Sequence, residues 1–228
     1  MTNPVPNPIY VAVDTAQLRV AQKLVRTVAP HVGGIKLGLQ FFAANGPDGV
    51  RAMAAFGLPI FLDLKFHDIP NTVSRAIQSV RGLQPAVMTV HAAGGREMLK
   101  RARRIADPAT KVVAVTVLTS LSDRDLGETG IGAATSAQAL KLARLAKSCG
   151  LDGIVCSGRE VAAIKAEWPD GYFVVPGLRP AGAQRDDQKR PVTPADALQS
   201  GASMLVIGRP ITAAKDPAEA ARSILASL

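Results

Sequence analysis

Four ionisable side chains, Asp63, Lys65, His67 and Asp68, crowd into one otherwise apolar run, IFLDLKFHDIPNT, from Ile60 to Thr72. Strand residues alternate faces, so Ile60, Leu62 and Leu64 share one side while Phe61, Asp63 and Lys65 share the other. Pro70 prevents the strand from continuing, which puts Asp68 in a loop. Lys36, in GGIKLG, ends the preceding strand and is expected beside Asp63. Taken alone, DLK also suits an antiparallel strand with one wet face, where Asp63 and Lys65 form a weak surface pair. The strands before and after it are almost wholly apolar, which disfavours such a face. An alternating array of Lys36, Asp63, Lys65 and Asp68 is instead a fixed electrostatic device. Carboxylates flanking Lys65 favour its ammonium form and keep a proton ready to donate. Two aspartates can also serve a metal ion, but the adjacent lysines would repel it. Proton chemistry is therefore favoured, and no metal is expected.

The C-terminal third offers a place for an anion. PGLRP, Pro176–Pro180, precedes the polar stretch AGAQRDDQKR, which is too long and charged for a tight turn. Loops of this kind act as lids that close over a ligand and exclude water. IGRP, Ile207–Pro210, then puts glycine and arginine where the last strand meets a short helix. Gly208 lets backbone N–H groups approach an anion, and Arg209 can grip phosphate with its planar fork. A turn glycine and a surface arginine would explain GR alone; that reading weakens once Arg179 and a lid are added. His67 and His91 suit acid–base work and, equally, hydrogen-bonded structural roles. Trp168 and Tyr172 read most simply as packing residues.

These residues need elements to position them, and the chain supplies an unvarying alternation. Candidate strands are Ile9–Val13, Gly34–Leu37, Ile60–Leu64, Val87–Val90, Val112–Leu118, Gly153–Cys156, Phe173–Val175 and Met204–Ile207, short and bounded by Gly, Pro or Asp as buried parallel strands are. Helix-period segments lie between them. In one, Ala21, Leu24, Val25 and Val28 share a face, with Thr15 placed to cap and Pro30 to stop it; in another, Ala139, Leu142, Ala143 and Ala146 do so, ending at Gly150. Eight strand–helix units in 228 residues suggest a single-domain α/β protein, a (β/α)₈ TIM barrel over 9–228 behind a flexible lead, 1–8. An open doubly wound sheet is the main rival, since alternation alone cannot show closure. Polar residues favour the barrel by gathering at strand C-terminal ends: Asp14, Lys36, Asp63, Lys65, His91, Thr119, Ser120, Pro176, Arg179, Gly208 and Arg209. No Gly-x-Gly-x-x-Gly follows a strand, which argues against a dinucleotide fold.

Composition narrows the classes further. Hydrophobic residues make up 47% and aromatics only 4%, so the core must be built from Ala, Val, Leu and Ile. No apolar run is long enough for a membrane span, and the N-terminus lacks the pattern of a signal peptide. Cys149 and Cys156 match no common zinc spacing and read as reduced, buried thiols, which points to the cytoplasm. A net charge of +9 suits a nucleic acid or a phosphorylated small molecule. The densest basic cluster, Arg96–Arg104, has no interleaved aromatics for base stacking, so nucleic acid is the minor alternative.

FLDLKFHDIPNT, with VAVD before it and TVLTS, PGLRP and VIGRP after it, resembles the bacterial orotidine 5′-phosphate decarboxylase family from Ile9 to the C-terminus, in the family's order and spacing. DxKxxD alone is shared with other phosphosugar barrels; DLKFHDIPNT joined to the C-terminal phosphate motifs is far more specific. The resemblance implies a cofactor-free enzyme that converts orotidine 5′-monophosphate to UMP and CO₂, the last step of UMP synthesis. It also implies that Asp14 and Lys36 hold the ribose hydroxyls and that Lys65 is the proton donor, set between Asp63 and Asp68. The site is expected at a homodimer interface, with Asp68 and Thr72 reaching into the partner's site. Thr119 would sit near the pyrimidine, with Ser120 a further contact and Pro176 beside the substrate. Arg179, Arg209, Gln188 from the lid and the Gly208 amide would serve the phosphate. Val13 stands where the family commonly has leucine, and the variable lid leaves Gln188 the least constrained assignment. A magnesium-dependent sugar-phosphate decarboxylase or aldolase of the same barrel group is the nearest rival. HDIPNT and the arginine-bearing lid speak against it.

Overall fold

The computed structural model describes residues 7–180 and 192–228. Within them, the short Val- and Ile-rich runs form eight parallel strands: β1 (Ile9–Ala12), β2 (Gly34–Gly38), β3 (Ile60–Phe66), β4 (Val87–His91), β5 (Lys111–Val115), β6 (Gly153–Val155), β7 (Tyr172–Val175) and β8 (Met204–Ile207). Each pairs with the next in sequence, and β8 returns to β1 through Ile9↔Leu205 and Val11↔Ile207, so the sheet closes into a barrel. The open-sheet alternative is excluded.

Period-2 alternation divides the core into two layers. Ile9, Val11, Ile35, Leu62, Leu64, Val90, Leu205 and Ile207 point outward and pack under the helices. Ala12, Phe61, Val87, Val113, Val115, Val155, Val174, Met204 and Val206 fill the barrel interior, with Tyr10 and Tyr172 packed against them. Each fully buried aliphatic or aromatic side chain contributes about 1.5–3 kcal/mol, so both layers hold the strand register firmly. Burial, and then the nearby Tyr10, push the Tyr172 phenol up to about 12. Trp168 is buried and meets Phe173 edge to face, a packing role for both Trp168 and Tyr172.

The helices are α1 (Leu18–Val28), α2 (Leu39–Ala54), α3 (Pro70–Val80), α4 (Gly95–Ile105), α5 (Asp123–Glu128), α6 (Thr135–Ser148), α7 (Val161–Glu167), α8 (Pro194–Gln199), α9 (Arg209–Thr212) and α10 (Pro217–Ala226). In α1 the buried residues are Ala21, Val25 and Val28, and in α6 Ala139, Leu142, Ala143 and Ala146 are all buried, as their spacing requires. Gly150 then takes a left-handed φ of 77°, which ends that unit. Thr15 does not cap α1: its Oγ1 accepts from the Gln17 N–H at 3.2 Å, and the helix begins beyond that turn. Pro30 falls inside one further 3₁₀ turn, Ala29–His31, because proline needs no N–H partner at the start of a turn.

Most strand limits lie within one residue of those expected from the sequence, and two C-terminal ends differ by more. β5 stops at Val115, the last residue paired with β6; the Thr116 N–H and hydroxyl both still donate to the Val155 carbonyl, and Val117, Leu118 and Thr119 beyond it line the cavity. β3 runs on to Phe66, past a register shift against β4 between Leu62 and Phe66. Of the expected lead, 1–6 lie outside the described residues. Asn7 is tied down, donating to the His31 carbonyl and accepting from the Ile9 N–H. Among the described residues no helix is long and apolar enough to cross a membrane.

Candidate active site

The charged residues meet because β1, β2 and β3 are neighbours and all deliver their C-terminal ends to the same mouth. β2 and β3 pair with Gly38 opposite Asp63, which sets Lys36 one inward position below it. The Lys36 ammonium lies 3.2 Å from Asp14 Oδ1 and 3.7 Å from Asp63 Oδ2, and Lys65 Nζ lies 2.7 Å from the same Asp63 oxygen. Asp63 and Lys36 are buried, at 7% and 9% exposure, so their pairing is weakly screened. Gly38 leaves the room this requires: a Cβ there would fall 2.9 Å from Lys36 Nζ and 3.2 Å from Asp14 Oδ1.

These groups form one wall of a cavity of about 550 Å³ at the C-terminal ends of the strands. The floor is apolar, made by Ala12, Phe61, Val115, Val155, Val174 and Val206 from the inner layer. The wall is continued by Pro176, Gly177 and Arg179 after β7, by Gly208 and Arg209 after β8, which pairs with β1, and by Thr119 after β5. Arg179 is buried, and one of its guanidinium nitrogens donates to the Leu178 carbonyl at 3.0 Å. Gly208 precedes the short helix α9, and its carbonyl accepts from the N–H groups of Ile211 and Thr212. An apolar floor ringed by a lysine–aspartate group and two arginines can take a flat, polar, anionic molecule.

Ten of the sequence-selected residues line this one cavity: Asp14, Lys36, Asp63, Lys65, Thr119, Pro176, Arg179, Gly208 and Arg209, together with Gly177 of the PGLRP motif. Asp68 and Thr72 do not. Asp68 sits exposed in the loop after β3, where its Oδ1 accepts from the Ile69 N–H at 2.7 Å, and Thr72 is exposed in the first turn of α3. Within one chain, then, the array expected around Lys65 is reduced to Lys36, Asp63 and Lys65, with Asp14 behind Lys36. Ser120 is also outside the cavity wall. Gln188 and the expected lid lie outside the described residues.

Several residues in or under the site carried no motif. Thr212 and Cys156 line the cavity, and neither cysteine forms a disulfide. Thr89, fully buried, donates its hydroxyl to Asp63 Oδ1 at 3.0 Å and accepts from the Lys65 N–H at 2.8 Å. Alternation back from His91 would have placed Thr89 inward, which is the one signal the sequence held for it. His67 and His91 stack, with ring centroids 5.1 Å apart and 20° between planes. His91 Nδ1 is buried without a hydrogen-bond partner among the described residues. Burial, then the charges of His67 and Lys65, hold the His91 imidazole below its usual value. In the basic cluster on α4, Arg103 donates to the Thr110 carbonyl and Arg96 to the Ser148 hydroxyl, so part of that charge fastens the helix to its neighbours. Among the described residues no group of three or more His, Cys, Asp or Glu side chains is arranged to hold a metal ion.

Fold and site together define a (β/α)₈ barrel with its charged cavity at the end where barrel enzymes do chemistry. Residues 7–224 match the sequence profile of the Orotidine 5′-phosphate decarboxylase / HUMPS family, and the chain belongs to that family. A relative from Sphingopyxis alaskensis, named orotidine 5′-phosphate decarboxylase, is 58% identical over 222 residues, 97% of this chain and 99% of its own. One of the same name from Novosphingobium aromaticivorans is also 58% identical, with the same coverage. The crystal structure of orotidine 5′-phosphate decarboxylase from Lactobacillus acidophilus superposes with a TM-score of 0.84 at 36% identity, over 96% of this chain and 97% of that one.

Proposed function

We propose that this chain is a carboxy-lyase that converts orotidine 5′-monophosphate to UMP and CO₂ in UMP biosynthesis, using its own side chains and no cofactor. The observation that carries the mechanism is the contact of Lys65 with Asp63, 2.7 Å, at the edge of an apolar floor. Loss of CO₂ from the pyrimidine ring leaves a carbanion whose lone pair lies in the ring plane, where the ring carbonyls cannot delocalise it. Fixed positive charge must stabilise it instead, and charge held in place beforehand needs no reorganisation as the reaction proceeds. Lys65 supplies that charge and then a proton: the electron pair left by CO₂ takes a proton from Nζ, and the resulting amine regains one from solvent. Asp63 beside the departing carboxylate adds repulsion that is relieved as CO₂ leaves.

The rest of the cavity positions the substrate. Asp14 and Lys36, paired at 3.2 Å, face the ribose hydroxyls. Arg179, Arg209 and the Gly208 amide receive the phosphate, joined by Gln188, while Thr119 and Pro176 border the pyrimidine. Binding energy at the phosphate, remote from the reacting carbon, helps hold the ring against Lys65. Asp68 and Thr72, exposed and outside their own chain's cavity, complete the site of a second subunit in a homodimer. The barrel, 9–228, acts as one catalytic unit, and its two cysteines, without a disulfide, suit a cytoplasmic setting.

The test is direct. Purified protein incubated with orotidine 5′-monophosphate should remove its ultraviolet absorbance, and Lys65→Ala should abolish turnover while circular dichroism shows the fold intact. Near-normal turnover by Lys65→Ala would refute the role given to Lys65.

A further inference from the structure

β3 and β4 fall out of step beside the lysine. Leu62 pairs with Met88 and Phe66 with Val90, so β3 places Asp63, Leu64 and Lys65 where β4 has only Thr89. Such a bulge re-aims side chains and strips ladder partners from the backbone groups within it. Here it also carries Lys65 into the left-handed region, φ 50°, which costs a non-glycine residue on the order of 1 kcal/mol and persists only where its surroundings hold it.

Thr89 supplies that hold. Its Oγ1 accepts the Lys65 N–H at 2.8 Å, taking the place of the missing ladder carbonyl. The same hydroxyl donates to Asp63 Oδ1 at 3.0 Å, while Asp63 Oδ2 faces Lys65 Nζ at 2.7 Å. Asp63 is therefore gripped on both oxygens, one by a neutral hydroxyl and the other by ammonium groups. A hydroxyl that accepts one bond is polarised to donate the next more strongly. Thr89 is 0% exposed, so water cannot take over either contact, and its β-branch limits the rotamers open to it.

Resting on the decarboxylase reading above, we propose that Thr89 is a positioning residue for the reaction. It locks the left-handed turn at Lys65 and fixes the rotation of the Asp63 carboxylate, so that the ammonium is aimed into the cavity before substrate arrives. Thr89 touches no substrate; it acts through Asp63 and Lys65.

Thr89→Val keeps the shape and deletes the hydroxyl, leaving the Lys65 N–H and Asp63 Oδ1 facing a methyl group. Misaligned charge weakens the transition state more than the bound ground state. We expect kcat to fall about 10–100-fold, the size of effect that goes with one unsatisfied buried polar group, with KM changed less than about threefold. Thr89→Ser keeps the hydroxyl and should return kcat to within about fivefold of the parent. UMP affinity and circular dichroism report whether each variant is folded, and Thr89→Ala replaces Thr89→Val if the latter is not. Unchanged kcat in the folded hydroxyl-free variant, or an equal loss in Thr89→Ser, overturns the positioning role while leaving the decarboxylase reading standing. A parent protein inactive on orotidine 5′-monophosphate, or an active Lys65→Ala, overturns that reading and this role with it.

Discussion

Asp63→Asn tests the electrostatics of the site most sharply, because the change removes one charge and almost no volume. At an effective dielectric of about 20, the pair with Lys65 at 2.7 Å is worth about 6 kcal/mol and that with Lys36 at 3.7 Å about 4.5 kcal/mol. Most of this gross attraction offsets the desolvation of the charges themselves. Removing one partner of a buried pair leaves a net cost of about 3–5 kcal/mol. The low end applies here, about 3 kcal/mol, because the Lys65 side chain keeps 30% of its exposure and Lys36 keeps Asp14. For a domain of this size the midpoint of thermal unfolding should drop by roughly 6–12 °C. Circular dichroism melts and urea titrations measure it. Lys65→Met and the double variant complete the cycle, with an expected coupling of about 1–3 kcal/mol, since removing both charges leaves less stranded than removing Asp63 alone. A midpoint within about 1 °C of the parent, or losses that simply add, would show that the Asp63–Lys65 pair is not held as its geometry indicates.

Arg209→Ala should weaken binding of UMP much more than that of uridine, measured by calorimetry; equal losses would remove Arg209 from the phosphate end. The stacked histidines predict a pH dependence of stability. His91 has a lowered folded value, from burial and then from His67 and Lys65, so between that value and about 6.5 the unfolded chain binds more protons. Stability should thus fall as pH drops from about 7.5 through that window, by at most about 1.4 kcal/mol per unit from this group. His91→Gln should flatten the slope in urea titrations, and parallel slopes for parent and variant would exclude His91 as its source.

Much of the site was legible because strand periodicity is a local property. Phe61, Asp63 and Lys65 were expected to share the inner face and do line the cavity, and Lys36 was expected beside Asp63 and is. The anion-binding motifs around Arg179 and Gly208 likewise reach the same mouth. Thr15 misled because a threonine ahead of an apolar period resembles a cap, whereas its hydroxyl serves an earlier turn. The end of β5 is not legible because Val117 and Leu118 suit a strand by type, and only the pairing with β6, which ends at Val115 opposite Val155, sets the limit.

The amino-acid sequence by itself determined the succession of strands and helices, the two-sided burial of each strand and the residue types delivered to one edge. Those follow from side-chain alternation, helix period and turn residues, which act over a few positions. Closure of β8 onto β1, the out-of-step pairing of β3 with β4 and the turning of Thr89 toward both Asp63 and Lys65 were decided in three dimensions. Each depends on a partner 24 or more residues away in the chain, and no local preference encodes which hydroxyl will meet an amide whose ladder partner is missing.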